Sequence, residues 1–347
     1  MTDTLRELMG NVGTGPKSAG DMTYDEAREA ARAILDKEPA PTTLGAFWLA
    51  NRWKSNTPEE LAAYTDEMCS RVEYAVPDTD PVDCGANYDG KEKTALLSVA
   101  AGIVAASAGT PVVAHSGDRV PTQKGCAYKH VLDELGVCTD LTPAESTELV
   151  DETGFGFYYQ PSFNSDVHAL HDRRDEMGVR TFVNTVETLV NPAEADVHLG
   201  SFYHLAFAKR VCETLDRSKH HDIDRVVMFQ GLEGYDEIRP GYTKVAEWRD
   251  GEFDDYEIET AEYGMGFERE DLRVEDVPRD SARITEEVLA GKRDDRFADA
   301  VALNAAFRVY ARGDAETLDA ALAETRDVLR DGKAAEVLNS VREVSQR

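Results

Sequence analysis

Apolar residues recur at helical spacing through the first part of the chain. In "MTYDEAREAARAILDKEP" (22–39), Ala27, Ala30, Ala31, Ile34 and Leu35 share one face. Thr23 stands where an N-cap belongs, and Glu26 follows at capping-box spacing. Pro39 and Pro41 close that segment. "TTLGAFWLANRWK" (42–54) predicts a second helix. "TPEELAAYTDEMCSRV" (57–72) predicts a third, capped by Thr57 with Pro58 in its first turn. Residues 1–21 are Gly-rich and polar and predict a short helix followed by a mobile loop.

After "VPDTDPVDCG" the pattern changes. A long apolar helix is expected over about 92–108, then a buried strand at "TPVVAH" (110–115) and a helix through 129–136. "FGFYYQ" (155–160), "RTFVNT" (180–185) and "RVVMFQG" (225–231) are further strand candidates. "FDDYEIETAEYGMGF" (253–267) alternates as a strand pair or sheet edge would, and 294–344 is amphipathic and helical. Strands alternating with helices predict an α/β domain with a mostly parallel sheet. The fold class expected is therefore a small helical domain, 1–72, joined to a larger α/β domain, 73–347.

Charge changes the picture. The 347 residues hold 67 acidic and 38 basic side chains, a net charge of -29, with 26 arginines against 12 lysines. Such a surface fits concentrated salt, where the Debye length falls to about 3 Å at 1 M and self-repulsion is screened. It disfavours a nucleic-acid partner, whose affinity comes largely from phosphate contacts that salt weakens. Cysteines 69, 84, 126, 138 and 212 are scattered, with no CxxC, which points to free thiols in a reducing cytoplasm. "MTDTLRELMG" lacks the cationic and apolar regions of a secretory signal. The run "ALLSVAAGIVAASAG" (95–109) is too short to cross a bilayer, so no membrane association is expected.

Three loops carry candidate chemistry. "CGANYDGKEKT" (84–94) lies between a short strand and the apolar helix. Its Gly85 and Gly90 let a backbone approach an anion, Lys91 and Lys93 add charge, and Thr94 offers a hydroxyl. Asn87 and Asp89 lie inside the same loop, and Asp89 would need Mg²⁺ between itself and a phosphate. "AHSGDRVPTQKGCAY" (114–128) supplies His115, Gly117, Arg119, Lys124 and Gly125 after a strand. Two such loops suit a diphosphate with a sugar attached. In "FQGLEGYDEIRPG" (229–241), Glu233, Asp236 and Glu237 follow a buried strand, where Mg²⁺ shared with substrate phosphates could be held. His220-His221 reads as a surface turn, and Trp48 and Trp53 as core or dimer contacts.

The chain resembles the anthranilate phosphoribosyltransferase family, glycosyltransferase family 3. "GAFWLANRWKSNTPEELAAYTDEM", "GVRTFVNTVETLVNPA" (178–193) and "ALNAAFRVYARGDAETLDAALAETRDVLRDGKAAEVL" are similar to its helical-domain, central and C-terminal elements. The resemblance implies a helical domain with an inserted segment near 162–190, an active site at the hinge, and a homodimer through the helical domain. It implies phosphoribosyl diphosphate and Mg²⁺ as ligands and an anthranilate-like aromatic amine as acceptor. It places Arg174 ("RDEMGVRT") on the acceptor and Asp236 and Glu237 on the metal. Several motifs depart from the family. "GTGGD" becomes "CGANYDG", "KHGN" becomes "AHSGD", "HPA" becomes "NSD" beginning at Asn164, and "GP" becomes Glu187-Thr188. "YDGKEK", "NTVETLVNP" and "QGLEG" look closer to a divergent paralogue group, some members of which bind nucleic acid. The readings carried forward are a phosphoribosyltransferase, a non-catalytic nucleic-acid-binding relative and, third, a nucleoside phosphorylase.

Overall fold

The computed structural model describes residues 4–86, 88–120 and 125–347. Four helices open the chain: α1 (Thr4–Val12), α2 (Tyr24–Leu35), α3 (Pro41–Lys54) and α4 (Pro58–Cys69). Thr23 with Glu26, and Thr57 with Glu60, form reciprocal capping boxes that satisfy the first free N–H groups of α2 and α4. Glu60 is fully buried and does more than cap. It also accepts from the Met22 N–H (2.8 Å) and from Lys54 Nζ (2.6 Å), tying α3 and α4 to the segment that leads into α2.

The remainder holds one seven-stranded sheet. Its strands are β1 (Val82–Gly85), β2 (Val112–Ser116), β3 (Phe155–Tyr159), β4 (Val197–Phe202), β5 (Arg225–Gln230), β6 (Tyr242–Arg249) and β7 (Glu252–Glu259). They lie in the order β3-β2-β1-β4-β5-β6-β7. The first five run parallel, and β6 and β7 add an antiparallel edge. Strand order reverses between β1 and β4, the position where ligands of open α/β sheets bind. Helices α5 (Ser98–Ser107), α6 (Tyr128–Glu134) and α7 (Pro143–Thr153) follow the first strands. α5 is apolar all round and buried along most of its length, and Gly102 lets it lie against the ring of Phe155.

Between β3 and β4 the chain makes four short helices: α8 (Gln160–Phe163), α9 (Ser165–His168), α10 (His171–Met177) and α11 (Val183–Val186). Phe163, Val167, Leu170, Phe182, Val183 and Val186 join the apolar core of α1–α4. Tyr64 of α4 stacks on Phe182 at 3.9 Å between ring centroids. The long α12 (Leu205–Arg217) follows β4, and α13 (Val277–Leu289), α14 (Arg296–Arg312), α15 (Leu318–Asp331) and α16 (Ala334–Val344) close the chain.

Three expectations change. "RTFVNT" is not a strand. The Asn184 side chain accepts the Thr181 N–H at 3.0 Å, closing a turn that becomes α11, with Val183 and Val186 buried three residues apart. The apolar helix begins at Ser98, not near 92, because 91–94 is held extended by bridges from Lys91 to Cys126 and from Thr94 to Arg273. The short strand ahead of the 84–94 loop is β1, whereas β4 and β6 were not anticipated. β1 is four residues ending in glycine, and β4 interrupts its apolar run with His198 and Gly200.

His220 is exposed, as a surface turn requires, but His221 is partly buried. The Asp66 carboxylate of α4 accepts the Lys219 N–H (2.8 Å) and the Tyr24 hydroxyl (2.6 Å), drawing the 218–221 turn onto the helical core. His221 Nε2 then lies 3.6 Å from Cys69 Sγ. Burial, then the neighbouring His220, pushes the His221 imidazole down to about 4. The unfolded chain, with a pKa of about 6.5, takes up a proton that the fold refuses. Stability should therefore fall as pH drops from about 6.5 towards 4. In urea unfolding at fixed salt, His221→Gln should flatten that acid arm by on the order of 2 kcal/mol, the ring's partial solvent access reducing the full effect. Parallel curves for parent and variant would show that His221 is not held neutral.

Candidate anion-binding cleft

A cleft of about 670 Å³ opens at the strand-order reversal. One wall comes from the ends of β4 and β5 and the loop after β1, and the other from Arg52 of α3 and residues 178–180. Six cations line it: Arg52, Lys93, Arg180, Arg239, Arg269 and Arg273. Four carboxylates accompany them: Asp89, Glu92, Glu233 and Glu270. In a chain of net charge -29, the cleft is a locally cationic exception.

Deeper in, the expected ligand groups are bonded to one another. Lys91 is fully buried, and its Nζ donates to the Ala95 carbonyl (2.6 Å) and to Glu237 Oε2 (2.5 Å). Glu237 Oε1 accepts from the N–H groups of Leu97 (2.6 Å) and Ser98 (2.9 Å) and from the Ser98 hydroxyl (2.8 Å). The positive end of α5 is thus capped by the chain's own carboxylate. Asp236 Oδ2 accepts from Arg308 Nη2 (2.6 Å) and the Tyr128 hydroxyl, and its Oδ1 (2.9 Å) shares the single Ser98 hydroxyl proton with Glu237 Oε1. All four oxygens of the Asp236–Glu237 pair are engaged by protein donors inside the core. Magnesium needs open oxygens and keeps waters, so the pair does not fit the ion as it stands. Among the described residues no group of three or more His, Cys, Asp or Glu is arranged to hold a metal.

A second buried network joins β1, β2 and β4. Asp83 lies between two imidazoles, with His198 Nδ1 at 2.7 Å and His115 Nε2 at 3.1 Å. Burial alone would raise the Asp83 pKa, but His115 and His198 together hold it well below the usual carboxylate range. Tyr88 contacts His115 Nδ1 and donates to the Glu187 carbonyl (3.3 Å). Gly85 packs on His198, where a Cβ would come within 2.3 Å of Cε1, so this glycine serves internal packing. Gly90, at φ +77°, lies against the Cys126 carbonyl and brings the first two loops together. Asp89 pairs with Arg180. Gly117 sits beside Val120 and Gln160, away from the cleft lining.

Arg174 is buried and makes a bidentate pair with Glu187, at 2.8 and 2.7 Å. Asn164 is also buried, and neither of its amide atoms has a hydrogen-bond partner among the described residues. Thr94 faces the cleft with its hydroxyl on Glu233 Oε1 (2.7 Å). Asn87 and Lys124 lie outside the described residues. The structure therefore brings Lys93, Thr94, Asp89 and Gly90 to the cleft and withdraws Lys91, Asp236, Glu237 and Arg174 into buried pairs. Sequence reasoning missed Asp83, His198 and the arginines at 52, 239, 269 and 273. None carried a local signal: Arg269 and Arg273 lie in "FEREDLR", where three acidic residues outnumber the two arginines.

A helical bundle seated at the cleft of a mostly parallel sheet defines a class, and comparison with known proteins names it. Residues 6–72 match the model "Glycosyl transferase family, helical bundle domain", and residues 83–335 match "Glycosyl transferase family, a/b domain". The chain belongs to this glycosyl transferase family. It is 31% identical to the anthranilate phosphoribosyltransferase of Natronomonas pharaonis over 93% of this chain and 96% of that one. It is 33% identical to that of Alkalilimnicola ehrlichii over 90% and 92%. The crystal structure of the Thermus thermophilus enzyme superposes with a TM-score of 0.82 at 26% identity, covering both chains completely. A Saccharomyces cerevisiae enzyme in complex with PRPP and Mg shares the fold, with a TM-score of 0.84 at 18% identity over 100% of this chain and 99% of that one.

Because Arg174 and Glu187 neutralise each other in the core, removing one strands the other. Arg174→Ala should destabilise the fold by about 3–5 kcal/mol in denaturant unfolding, and the paired Arg174→Met, Glu187→Leu variant should recover most of that loss. A loss below about 1 kcal/mol would match an exposed pair instead.

Proposed function

We propose that this chain binds a small phosphorylated ligand of the phosphoribosyl diphosphate type in the open cleft, through side-chain cations and without magnesium. We further propose that it does not catalyse transfer to an anthranilate-like acceptor. One observation carries this reading. The chain's own carboxylates sit on the groups a transferase would turn towards its substrates: Glu237 on Lys91 and the start of α5, and Glu187 on Arg174.

What stays open is cationic. Arg52 donates to the Arg180 carbonyl (2.7 Å) and Arg239 to the Tyr242 carbonyl (2.8 Å), bonds that leave both charges un-neutralised. Arg273 is 4.0 Å from Glu270. A cavity of about 670 Å³ suits a single phosphorylated sugar or nucleotide. The acidic exterior would repel a long polyanion, which favours a small ligand over nucleic acid.

A second reading, phosphoribosyl transfer from phosphoribosyl diphosphate to an aromatic amine, is favoured by the extent of identity to the Natronomonas pharaonis enzyme. It requires Arg174 to exchange Glu187 for an acceptor carboxylate. It also requires the Asp236–Glu237 pair to release its protein donors for a metal. Calorimetry with phosphoribosyl diphosphate and a fluorescence assay with anthranilate separate the two. The expected result is binding unchanged by Mg²⁺, weakened roughly ten- to a hundredfold in Lys93→Gln, Arg273→Gln, and no product. Product formation, or binding that appears only with Mg²⁺, would favour the transferase.

A further inference from the structure

Glu233 has an arrangement that the cleft's general charge does not explain. Its Oε2 accepts the Glu92 N–H at 2.9 Å. Its Oε1 accepts the Thr94 N–H at 2.8 Å and the Thr94 hydroxyl at 2.7 Å. Three donors thus converge on one carboxylate at the rim of the cleft. Partial burial would raise its pKa, but these donors outweigh that and hold it ionised. We propose that the Glu92 and Thr94 donors form an oxyanion subsite, that Glu233 is its built-in occupant, and that a phosphate group of the ligand enters by displacing it. This rests on the reading that the cleft takes a phosphorylated ligand, and it names where one phosphate goes and what gates it.

The donors do not depend on Glu233 for their placement. Residues 91–94 are fixed from both ends: Lys91 N–H to the Cys126 carbonyl (2.9 Å), Ala95 N–H to the Leu272 carbonyl (2.9 Å), and Val274 N–H to the Lys93 carbonyl (3.1 Å). With the carboxylate gone, the three donors would still face the cleft. Main-chain N–H groups two residues apart on one side of an extended stretch, joined by the Thr94 hydroxyl, suit a tetrahedral oxyanion at least as well as a carboxylate.

Glu233 is poised to leave. Its backbone is left-handed, at φ 56° and ψ 22°, a conformation costly for a residue with a Cβ. It is followed by Gly234, at φ +77°, so the turn can rearrange. The residue is only half-buried and lines the cleft, so a displaced carboxylate reaches water. The surroundings favour a more highly charged guest. Lys93, Arg269 and Arg273 line the same cavity, with Arg269 paired to Glu270 at 2.7 Å, so once Glu233 swings out the rim is left with an excess of positive charge for the guest.

The test is calorimetry with inorganic diphosphate on the full chain at fixed salt and pH. Glu233→Gly removes the carboxylate and suits the left-handed backbone, so the turn is kept. Glu233→Gln keeps the length and one acceptor while losing the charge, and carries the test should the glycine variant fail to fold. Both should bind diphosphate more tightly than the parent, Glu233→Gly by roughly ten- to a hundredfold. Adding Thr94→Val to Glu233→Gly should reverse most of the gain. Equal affinity of parent and both variants would overturn the gating role while leaving the cleft reading in place. A gain that survives Thr94→Val would place the phosphate elsewhere and overturn the subsite. Absence of binding in parent and variants alike would overturn both readings, and binding by the variants alone would uphold the subsite while overturning ligand binding by the parent.

Discussion

The carboxylate of Glu237 is the joint that the α/β domain is built around. It accepts from the first amides of α5, from Ser98 and from the buried ammonium of Lys91, and so fastens the turn after β5 to the loop after β1. Two buried opposite charges at 2.5 Å hold that geometry. Losing either partner would leave an uncompensated ion in the core. Next to it, Asp236 locks onto Arg308, itself fully buried on α14. The C-terminal helices are thereby tied to the floor of the cleft, so the position of the cleft walls is a consequence of these two pairs.

Much of the fold could be read from the pattern. The amphipathic spacing and capping boxes of α2 and α4 are local signals, and local signals survive in the folded state. β2, β3 and β5 are apolar runs of the length a buried parallel strand needs. β4 was hidden because His198, which reads as polar, is buried against Asp83 across the β1–β4 pairing. The segment 180–185 has β-branched residues at strand spacing, but the side chain of Asn184 closes a turn there, and no propensity scale weighs that single hydrogen bond.

The candidate site was less legible, for a physical reason. Residue type shows that Lys91, Arg174, Asp236 and Glu237 can bind charged ligands. Whether they do depends on what faces them, and their partners lie 146, 13, 72 and 146 residues away for Lys91–Glu237, Arg174–Glu187, Arg308–Asp236 and Glu237–Lys91 respectively. Only the substitution that introduces Glu187 hinted at this. In the loop after β1, Tyr88 is buried against His115, a long-range contact that the loop's own residues do not announce.

The Arg174–Glu187 pair also has an evolutionary reading. A typical domain is stable by about 5–15 kcal/mol, and stranding one member of a buried pair removes about 3–5 of them. A lineage that acquired this pair could not shed either residue alone without approaching the threshold of folding. Replacing either residue would need a compensating change at the other to come first. The pair therefore works as a lock on its own sequence positions, because the two residues can change only together.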